Sequence, residues 1–208
     1  MLLASLNIVV IGLIILLTEQ LWRRRRLHGE AARKFVHIII GSFVAAWPLY
    51  VSYEVIQITL GLTLLGVLGV RLLNITPSLF DVDRSSFGVW LAPLVMLLVA
   101  LLEPSRTVFS VVVLHVALAD GFAAVVGSRF GRRRFAWQKK TALGTLTFFA
   151  VSIVIMVIAL LFQPVIDVEL VMLYLVIVPL TTSFLEYISP YGLDNLTVPL
   201  AVFLLLGG

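Results

Sequence analysis

The chain is organised as long apolar runs that are separated by short polar stretches. A helix needs about 20 apolar residues to cross the hydrocarbon core of a bilayer, within a range of about 17–25. Two shorter runs, 88–102 and 196–206, contain Pro93 and Pro199, so we expect tilted, half-spanning or broken helices there. The pattern predicts an all-α, polytopic membrane bundle with seven or eight transmembrane segments in a single domain, 1–208. The longer runs are 2–22, 35–52, 55–73, 107–127, 142–163 and 169–185.

Composition supports this prediction and narrows the function. Of the 208 residues, 61% are hydrophobic and 12% are charged, whereas a soluble domain carries about 25% charged residues. Because cysteine is absent, disulfides, thiolate catalysis and cysteine metal sites are excluded. The arginines follow the first run, 2–22, instead of preceding it, so we expect a retained span and not a secretory signal.

The positive charges lie on one side of the predicted bundle. With eight spans, the loops 23–34, 71–87, 128–141 and 186–195 face the same side, and they hold all of the 15 Lys and Arg residues except Arg106. Loops rich in Lys and Arg are cytoplasmic, so we expect the N-terminus outside and the active site at the cytoplasmic face of a prokaryotic cell membrane. Topology explains the basic charge, and we expect no nucleic-acid partner. The opposite loops are short and poor in reactive groups, which disfavours a transporter.

Asp120 interrupts the apolar run VVVLHVALADGFAAVVG. A carboxylate in the hydrocarbon region costs a few kcal/mol or more, so such acids usually face protein and usually serve a function. Asp120 belongs to a stripe of small residues that continues to Gly127 and Gly131. Close helix packing alone explains the two glycines, although they also allow a phosphate to approach the backbone. The carboxylate needs a cation, a partner or water.

A basic stretch follows Asp120 and ends immediately before another apolar run. Lys139, Lys140 and Thr141 precede a helix that is predicted to begin near Ala142. The N-terminus of a helix attracts anions through its free amide groups and its dipole. The pattern therefore favours a phosphate-binding site, although it is not a P-loop, because Lys139 stands where that motif has glycine.

Arg33, Lys34 and His37 lie where the second run enters the membrane. Arg33, His37 and Gly41 recur at steps of four, so they share one helix face, with Lys34 alongside. The alternative is that the basic side chains extend to the membrane surface and that the histidine is hydrogen-bonded within the protein. Together, however, the three residues favour a functional site. The preceding arginines, 23–26, are better explained by topology and by contact with anionic membrane lipids.

A third polar cluster, EYISPYGLDNLTVP, lies towards the C-terminal end of the sequence. It contains Glu186 and places Asp194 and Asn195 at the start of the last helix. Helix capping explains Asp or Asn at this position, and their oxygens are equally suited to Mg²⁺. A weaker cluster, DVDRSSFGVWLAP, offers Arg84 on the same side of the membrane.

These clusters, in this order, resemble the polyprenol kinase family of membrane enzymes, which includes dolichol kinase, phytol kinase and CTP-dependent diacylglycerol kinases. The phytol and farnesol kinase branch is the most similar of these, because the chain is short and ends in DNLTVP. The resemblance covers a core of residues 30–206 and leaves the first span peripheral. The matching residues are Arg33, Lys34, His37, Gly41, Arg84, Gly88, Pro93, Asp120 to Gly131, Lys140, Thr141, Gly144, Thr145, Glu186, Asp194, Asn195 and Pro199.

The resemblance implies transfer of the γ-phosphoryl group of a nucleoside triphosphate, typically CTP, to a lipid alcohol such as phytol, farnesol or a polyprenol. Such transfer needs a metal, cations on the phosphates and a positioned hydroxyl. We expect Mg²⁺, held by Asp120 and Asp194 with Asn195. Asp120, His37 or Glu186 orients or deprotonates the alcohol, and that choice stays open, as does the oligomeric state. The expected phosphate-binding residues are Arg33, Lys34, Arg84, Gly127, Gly131, Lys139, Lys140 and Thr141.

Two alternatives stay open. A CTP-dependent cytidylyltransferase forms a CDP-lipid from a phosphorylated lipid. A small transporter or a non-catalytic scaffold is favoured by Val89 and Leu143, since the family often has acidic residues at those two positions.

Overall fold

The computed structural model of the chain describes residues 2–24, 29–73, 88–131, 140–163 and 166–207, without the side chains of 29–33, 70–71 and 88–89. Every regular element in these ranges is helical, which confirms the all-α prediction. The α-helices are α1 (Leu2–Arg23), α2 (Gly29–Ala45), α3 (Tyr53–Leu73), α4 (Gly88–Leu101), α5 (Arg106–Leu114), α6 (Asp120–Phe130), α7 (Ala142–Leu160), α8 (Val168–Met172), α9 (Val178–Ile188) and α10 (Asp194–Leu206).

Two of the long helices contain a π turn. His115–Ala119 joins α5 to α6, and Leu173–Ile177 joins α8 to α9, so each set forms one continuous helix. Side chains accept hydrogen bonds from backbone amides at several of the described helix starts, as Ser105 does before α5, Thr141 before α7 and Asp167 before α8. These caps satisfy amides that have no partner within the helix.

The continuous helix 106–130 is the centre of the bundle. Of its most apolar stretch, 61% is buried inside the protein, against 28–33% for the other three long helices. It packs against α2, α7 and α10, while α7 and α9 pack against each other. The contact with α2 is close, because a Cβ atom added at Gly41 would lie 2.3 Å from the Cβ of Ala117. The elements that carry the predicted polar clusters are therefore direct neighbours.

The first helix, α1, packs on α2 and α3 along a single face. Its buried residues include Ala4, Asn7, Ile11 and Thr18, which recur at the spacing of one helical stripe. The opposite face is exposed and apolar, as at Leu6 and Leu13. The peripheral position of this helix relative to the family-like core stays a prediction.

Four helices in the described ranges are long and apolar enough to cross a membrane: Leu2–Arg23, Arg106–Phe130, Ala142–Leu160 and Val168–Ile188. Four shorter apolar helices accompany them, at 34–49, 53–69, 90–101 and 194–206. The predicted run 35–52 is shortened because α2 ends at Ala45 and a 3-10 turn, Trp47–Leu49, follows at Pro48. Pro93 and Pro199 lie inside unbroken helices of 14 and 13 residues. The count of seven or eight spans stays a prediction.

Candidate active site

The predicted polar residues meet at one end of the bundle. Lys34 lies near the start of α2 and Asp120 begins α6, while Lys140 directly precedes α7. Glu186 is in the last turn of α9 and Asp194 in the first turn of α10. Five elements that are far apart in the sequence thus supply one polar region.

Lys34 and Asp120 form a buried ion pair. The Nζ atom of Lys34 donates a hydrogen bond to Oδ2 of Asp120, and the two side chains are only 4% and 12% exposed. The Nε2 atom of His37 lies 3.6 Å from the same carboxylate oxygen. The cation that Asp120 requires inside an apolar run is therefore a lysine 86 residues earlier in the chain.

The π turn before Asp120 helps to position His37. Nε2 of His37 lies 2.8 Å from the backbone oxygen of Val116, which is inside the π turn, so the ring nitrogen is the donor. One helical turn further along α2, Gly41 allows the close contact with Ala117. His37 and Gly41 therefore lie on one face of α2, as their step of four predicted, and the structure places this face against the central helix. π turns are frequent at functional sites.

Lys140 is the centre of a second cluster. Its Nζ atom lies 2.8 Å from Oδ2 of Asp194 and 2.9 Å from Oε1 of Glu186, and it donates to the backbone oxygen of Glu186. Oγ1 of Thr145 donates to the other carboxylate oxygen of Glu186 at 3.0 Å. The lysine thus links the end of α9 to the start of α10.

The surroundings of Lys140 favour its charged form. Burial lowers the pKa of Lys140, but the carboxylates of Asp194 and Glu186 outweigh burial and raise the pKa above its ordinary value. A folded-state pKa that is raised means that the stabilising charge is complete at neutral pH and is lost only as the pH rises through that value. Lys140 is therefore a permanent cation at physiological pH.

The two clusters belong to one electrostatic environment. The charge of Lys140 acts on Asp120, and the charge of Asp120 acts on Glu186. Two lysines, Lys34 and Lys140, face three carboxylates, so the described side chains carry an excess of one negative charge when all three carboxylates are ionised and His37 is neutral. This excess favours the binding of a further cation.

Asp194 and Asn195 fit a magnesium ion. Nδ2 of Asn195 faces two acceptors, the backbone oxygen of Gly192 at 3.3 Å and Oδ1 of Asp194 at 3.2 Å, which fixes the orientation of the amide. Its oxygen, Oδ1, is buried and has no hydrogen-bond partner. The cap of α10 is Leu193, without a side-chain cap, and Oδ2 of Asp194 pairs with Lys140. An unpaired oxygen beside a carboxylate matches the hard donors that Mg²⁺ prefers.

Gly127 and Gly131 pack against the start of α7. A Cβ atom added at Gly127 would lie 2.7 Å from Oγ1 of Thr141, and one at Gly131 would lie 2.5 Å from the same atom. Thr141 also caps α7, since Oγ1 accepts from the amide of Gly144. The packing explanation for the small-residue stripe is therefore confirmed, and phosphate contact by these residues stays a prediction.

Comparison with known proteins finds a relative over nearly the whole chain. Phytol kinase from Synechocystis sp. is 34% identical to the chain over 198 residues, an alignment that takes in 91% of this chain and 84% of the Synechocystis protein. The chain belongs to the phytol kinase family. This membership confirms the resemblance that the sequence indicated. No protein-family model matches the chain, and no solved structure matches it.

Some residues expected from the phytol kinase family pattern lie outside the described part. Arg84 and Lys139 fall in the ranges 74–87 and 132–139, which the structure does not describe, and the side chains of Arg33 and Val89 are likewise outside the description. Leu143 is 38% exposed, whereas Thr141 and Gly144 are buried. The departure from the family pattern at 143 therefore lies away from the packed face of α7.

Sequence reasoning gave no role to several polar residues in the interior of this phytol kinase family member. Thr145 contacts Glu186 and was noted only as part of the family pattern. His115 is fully buried, and its Nε2 lies 2.8 Å from Oγ of Ser152, which lies 3.4 Å from Oγ1 of Thr182. Thr145 and Ser152 are seven residues apart on α7, a signal that they share a face.

Proposed function

We propose that this protein is an integral membrane kinase that transfers the γ-phosphoryl group of CTP to an isoprenoid lipid alcohol, such as phytol, farnesol or a polyprenol, at the cytoplasmic face. Membership of the phytol kinase family supports both the kinase activity and the lipid alcohol acceptor. The apolar composition and the four long apolar helices support the membrane location.

The observation that carries the proposal is the pair of buried lysine–carboxylate clusters at one end of the bundle. A buried ion pair contributes little to stability, because removing two charges from water offsets their attraction. Strongly perturbed, buried charges are instead typical of functional sites. Here the two lysines, Lys34 and Lys140, supply the cations that a triphosphate needs. The carboxylates of Asp120 and Asp194 supply ligands for a metal.

The reaction follows from this arrangement. The hydroxyl oxygen of the lipid attacks the γ-phosphorus, a new O–P bond forms, and the bond from the γ-phosphorus to the β–γ bridging oxygen breaks, so CDP leaves. The hydroxyl proton passes to a neighbouring base, for which Asp120, Glu186 and His37 are the candidates. Lys34 and Lys140 stabilise the charge on the phosphate oxygens, which is the main contribution a protein makes to phosphoryl transfer.

Asp120, Asp194 and Asn195 are proposed to hold Mg²⁺ with the nucleotide. When bound, the ion would supply positive charge that stabilises the negative charge developing during phosphoryl transfer. Asp120 and Asp194 also position Lys34 and Lys140 through their ion pairs. Thr145 orients Glu186 by its 3.0 Å hydrogen bond.

The proposed topology places this site in the cytoplasm. If the four shorter apolar helices cross the membrane together with the four long ones, the loops that contain nearly all Lys and Arg residues lie on the same side as the site. Positive loops remain in the cytoplasm, where CTP is available. Cysteine accessibility at residues introduced into the loops 128–141 and 103–106 tests this orientation, and equal labelling from outside at both loops would contradict it.

The decisive experiment uses purified protein in detergent with phytol and CTP labelled at either the γ or the α phosphate. We expect the γ label alone to appear in the lipid. Transfer of the α label would identify a cytidylyltransferase, and no transfer from any nucleoside triphosphate would overturn the proposal.

A matched pair of variants tests the site in the same assay. Lys140→Gln removes a buried cation of the site, so transfer should fall by about 10²–10³. Arg106→Gln removes the single Arg on the opposite side and should retain wild-type transfer. Wild-type transfer by both variants would exclude Lys140 from the reaction.

A further inference from the structure

A cavity of about 130 Å³ lies between α1, α2, α3 and α4. Every helix of this group contributes to its wall, with Ile15 from α1, Val44 from α2, Val67 from α3, and Ala92 and Met96 from α4. The wall is apolar apart from His37 and Thr63, and the hydroxyl of Thr63 donates to the backbone oxygen of Thr59 at 2.8 Å. His37 is therefore the polar group that a ligand in this cavity meets.

The cavity adjoins the candidate active site through His37. The ring of His37 lines the cavity, and its Nε2 atom lies 3.6 Å from Oδ2 of Asp120. From Val36 to Val44, the wall extends along α2 for about 12 Å, at 1.5 Å per residue. The shape therefore fits a ligand with one polar end, placed beside Asp120, and an apolar body that extends into the bundle.

The volume limits how much of such a ligand fits. An apolar protein cavity of about 150 Å³ holds one benzene molecule, so this cavity accepts an apolar group of that size, close to one isoprene unit. The rest of a long chain must continue outside the cavity, among lipids. The two ester groups of a diacylglycerol would lose hydrogen bonds to water next to an apolar wall, which is unfavourable.

We infer that this cavity binds the isoprene unit next to the hydroxyl of the acceptor alcohol, with the hydroxyl at His37. The inference rests on the proposed function and deepens it, because it assigns acceptor selectivity to the first unit and not to the length of the chain. It also gives α1 a part in the site, through Ile15.

The first test is an acceptor series with the wild-type protein and γ-labelled CTP. Phytol, farnesol and geraniol share a branched unit next to the hydroxyl and differ in length, so we expect their kcat/KM values to agree within about tenfold. Hexadecanol and dioleoylglycerol should be poorer by about tenfold or more. A steady rise in kcat/KM with chain length alone, including hexadecanol, would overturn the inference.

Two matched pairs of variants test whether acceptor binding depends on the cavity. Val67→Phe and Ile15→Phe add a ring to the cavity wall, whereas Val154→Phe and Ile158→Phe make the same changes at exposed positions of α7. The cavity variants should lose about tenfold in kcat/KM for phytol, chiefly through KM, and the α7 variants should match wild type. The same kcat/KM for phytol in all four variants would overturn the inference. Absence of lipid phosphorylation in the wild type would instead overturn the proposed function.

Photocrosslinking gives a readout that does not depend on turnover or on tolerance of a bulky variant. The probe is a farnesol analogue with a diazirine in the unit next to the hydroxyl, and the labelled peptides are identified by mass spectrometry. Labels on α1–α4 that excess phytol displaces support the assignment. Labels confined to α7–α10 would contradict it even if the protein is an active kinase.

Discussion

Removing the charge of Asp120 is expected to cost both stability and activity, and a second substitution separates the two. In Asp120→Asn, Lys34 keeps a hydrogen-bond acceptor but loses its counter-ion. The side chain of Lys34 is only 4% exposed, so water does not compensate for the loss. An uncompensated buried charge costs about 3–5 kcal/mol, and the retained acceptor favours the lower value.

A loss of about 3 kcal/mol corresponds to a fall in Tm of about 6–12 °C for a protein of this length. Adding Lys34→Met removes the unpaired charge and replaces it with an apolar side chain of similar length. The double variant should therefore unfold within about 1 kcal/mol of wild type, or be more stable. Transfer of the γ label should remain at least about 10²-fold below wild type in both variants, because both lack the Asp120 carboxylate that the proposed function assigns to the metal.

The assays are thermal unfolding in detergent micelles and transfer of the γ label to phytol. Glu19→Gln is the matched acid-to-amide control at a second buried acid, because its partner Arg23 is 67% exposed and water can therefore solvate the Arg23 charge when the counter-ion is lost. The control should keep its activity. If the double variant is stable and also phosphorylates phytol at the wild-type rate, the Lys34–Asp120 pair is structural and the proposed site is wrong.

Three further predictions test the packing, the second cluster and the cofactor. Gly41→Ala should destabilise the fold by about 1–3 kcal/mol in thermal unfolding, because the new methyl group would lie 2.3 Å from the Cβ of Ala117. Gly61→Ala is the control and should be neutral or stabilising, because a Cβ atom added at Gly61 meets nothing within 4 Å. Thr145→Val removes the hydrogen bond to the buried carboxylate of Glu186 and should lower kcat about tenfold. Thr147→Val on the same helix is the control and should keep the wild-type kcat. If both variants have the wild-type kcat, Thr145 does not position Glu186. Chelation by EDTA should abolish transfer and added Mg²⁺ should restore it, and transfer that persists in EDTA would contradict a metal requirement.

The sequence predicted the helices well, because apolar length is a direct physical requirement for crossing a bilayer. It also predicted that the polar clusters share one end of the bundle, because positive loops report topology. The described structure brings Lys34, Asp120, Lys140, Glu186 and Asp194 together at that end. Both the all-helical fold and the family resemblance are confirmed.

The pairing of these residues was not predictable from the sequence. Lys34 and Asp120 are 86 residues apart, and spacing within one helix says nothing about contacts between helices. In lipid, the faces of a helix are not distinguished by hydrophobicity, since lipid tails are as apolar as leucine. The π turn at His115–Ala119 was also hidden, because no residue type marks it and it depends on local packing.

The described carboxylates are arranged for a metal that arrives with the nucleotide, under the proposed function. Among the described residues, no three His, Asp or Glu side chains converge in a way that could hold a metal ion by themselves. Mg²⁺ commonly binds through one or two carboxylates together with substrate phosphates, so an incomplete protein site is suitable for a kinase. Under the proposed function, the buried oxygen of Asn195 would contribute to binding the ion. Lys34 and Lys140, which balance the carboxylates in this structure, would bind the phosphates.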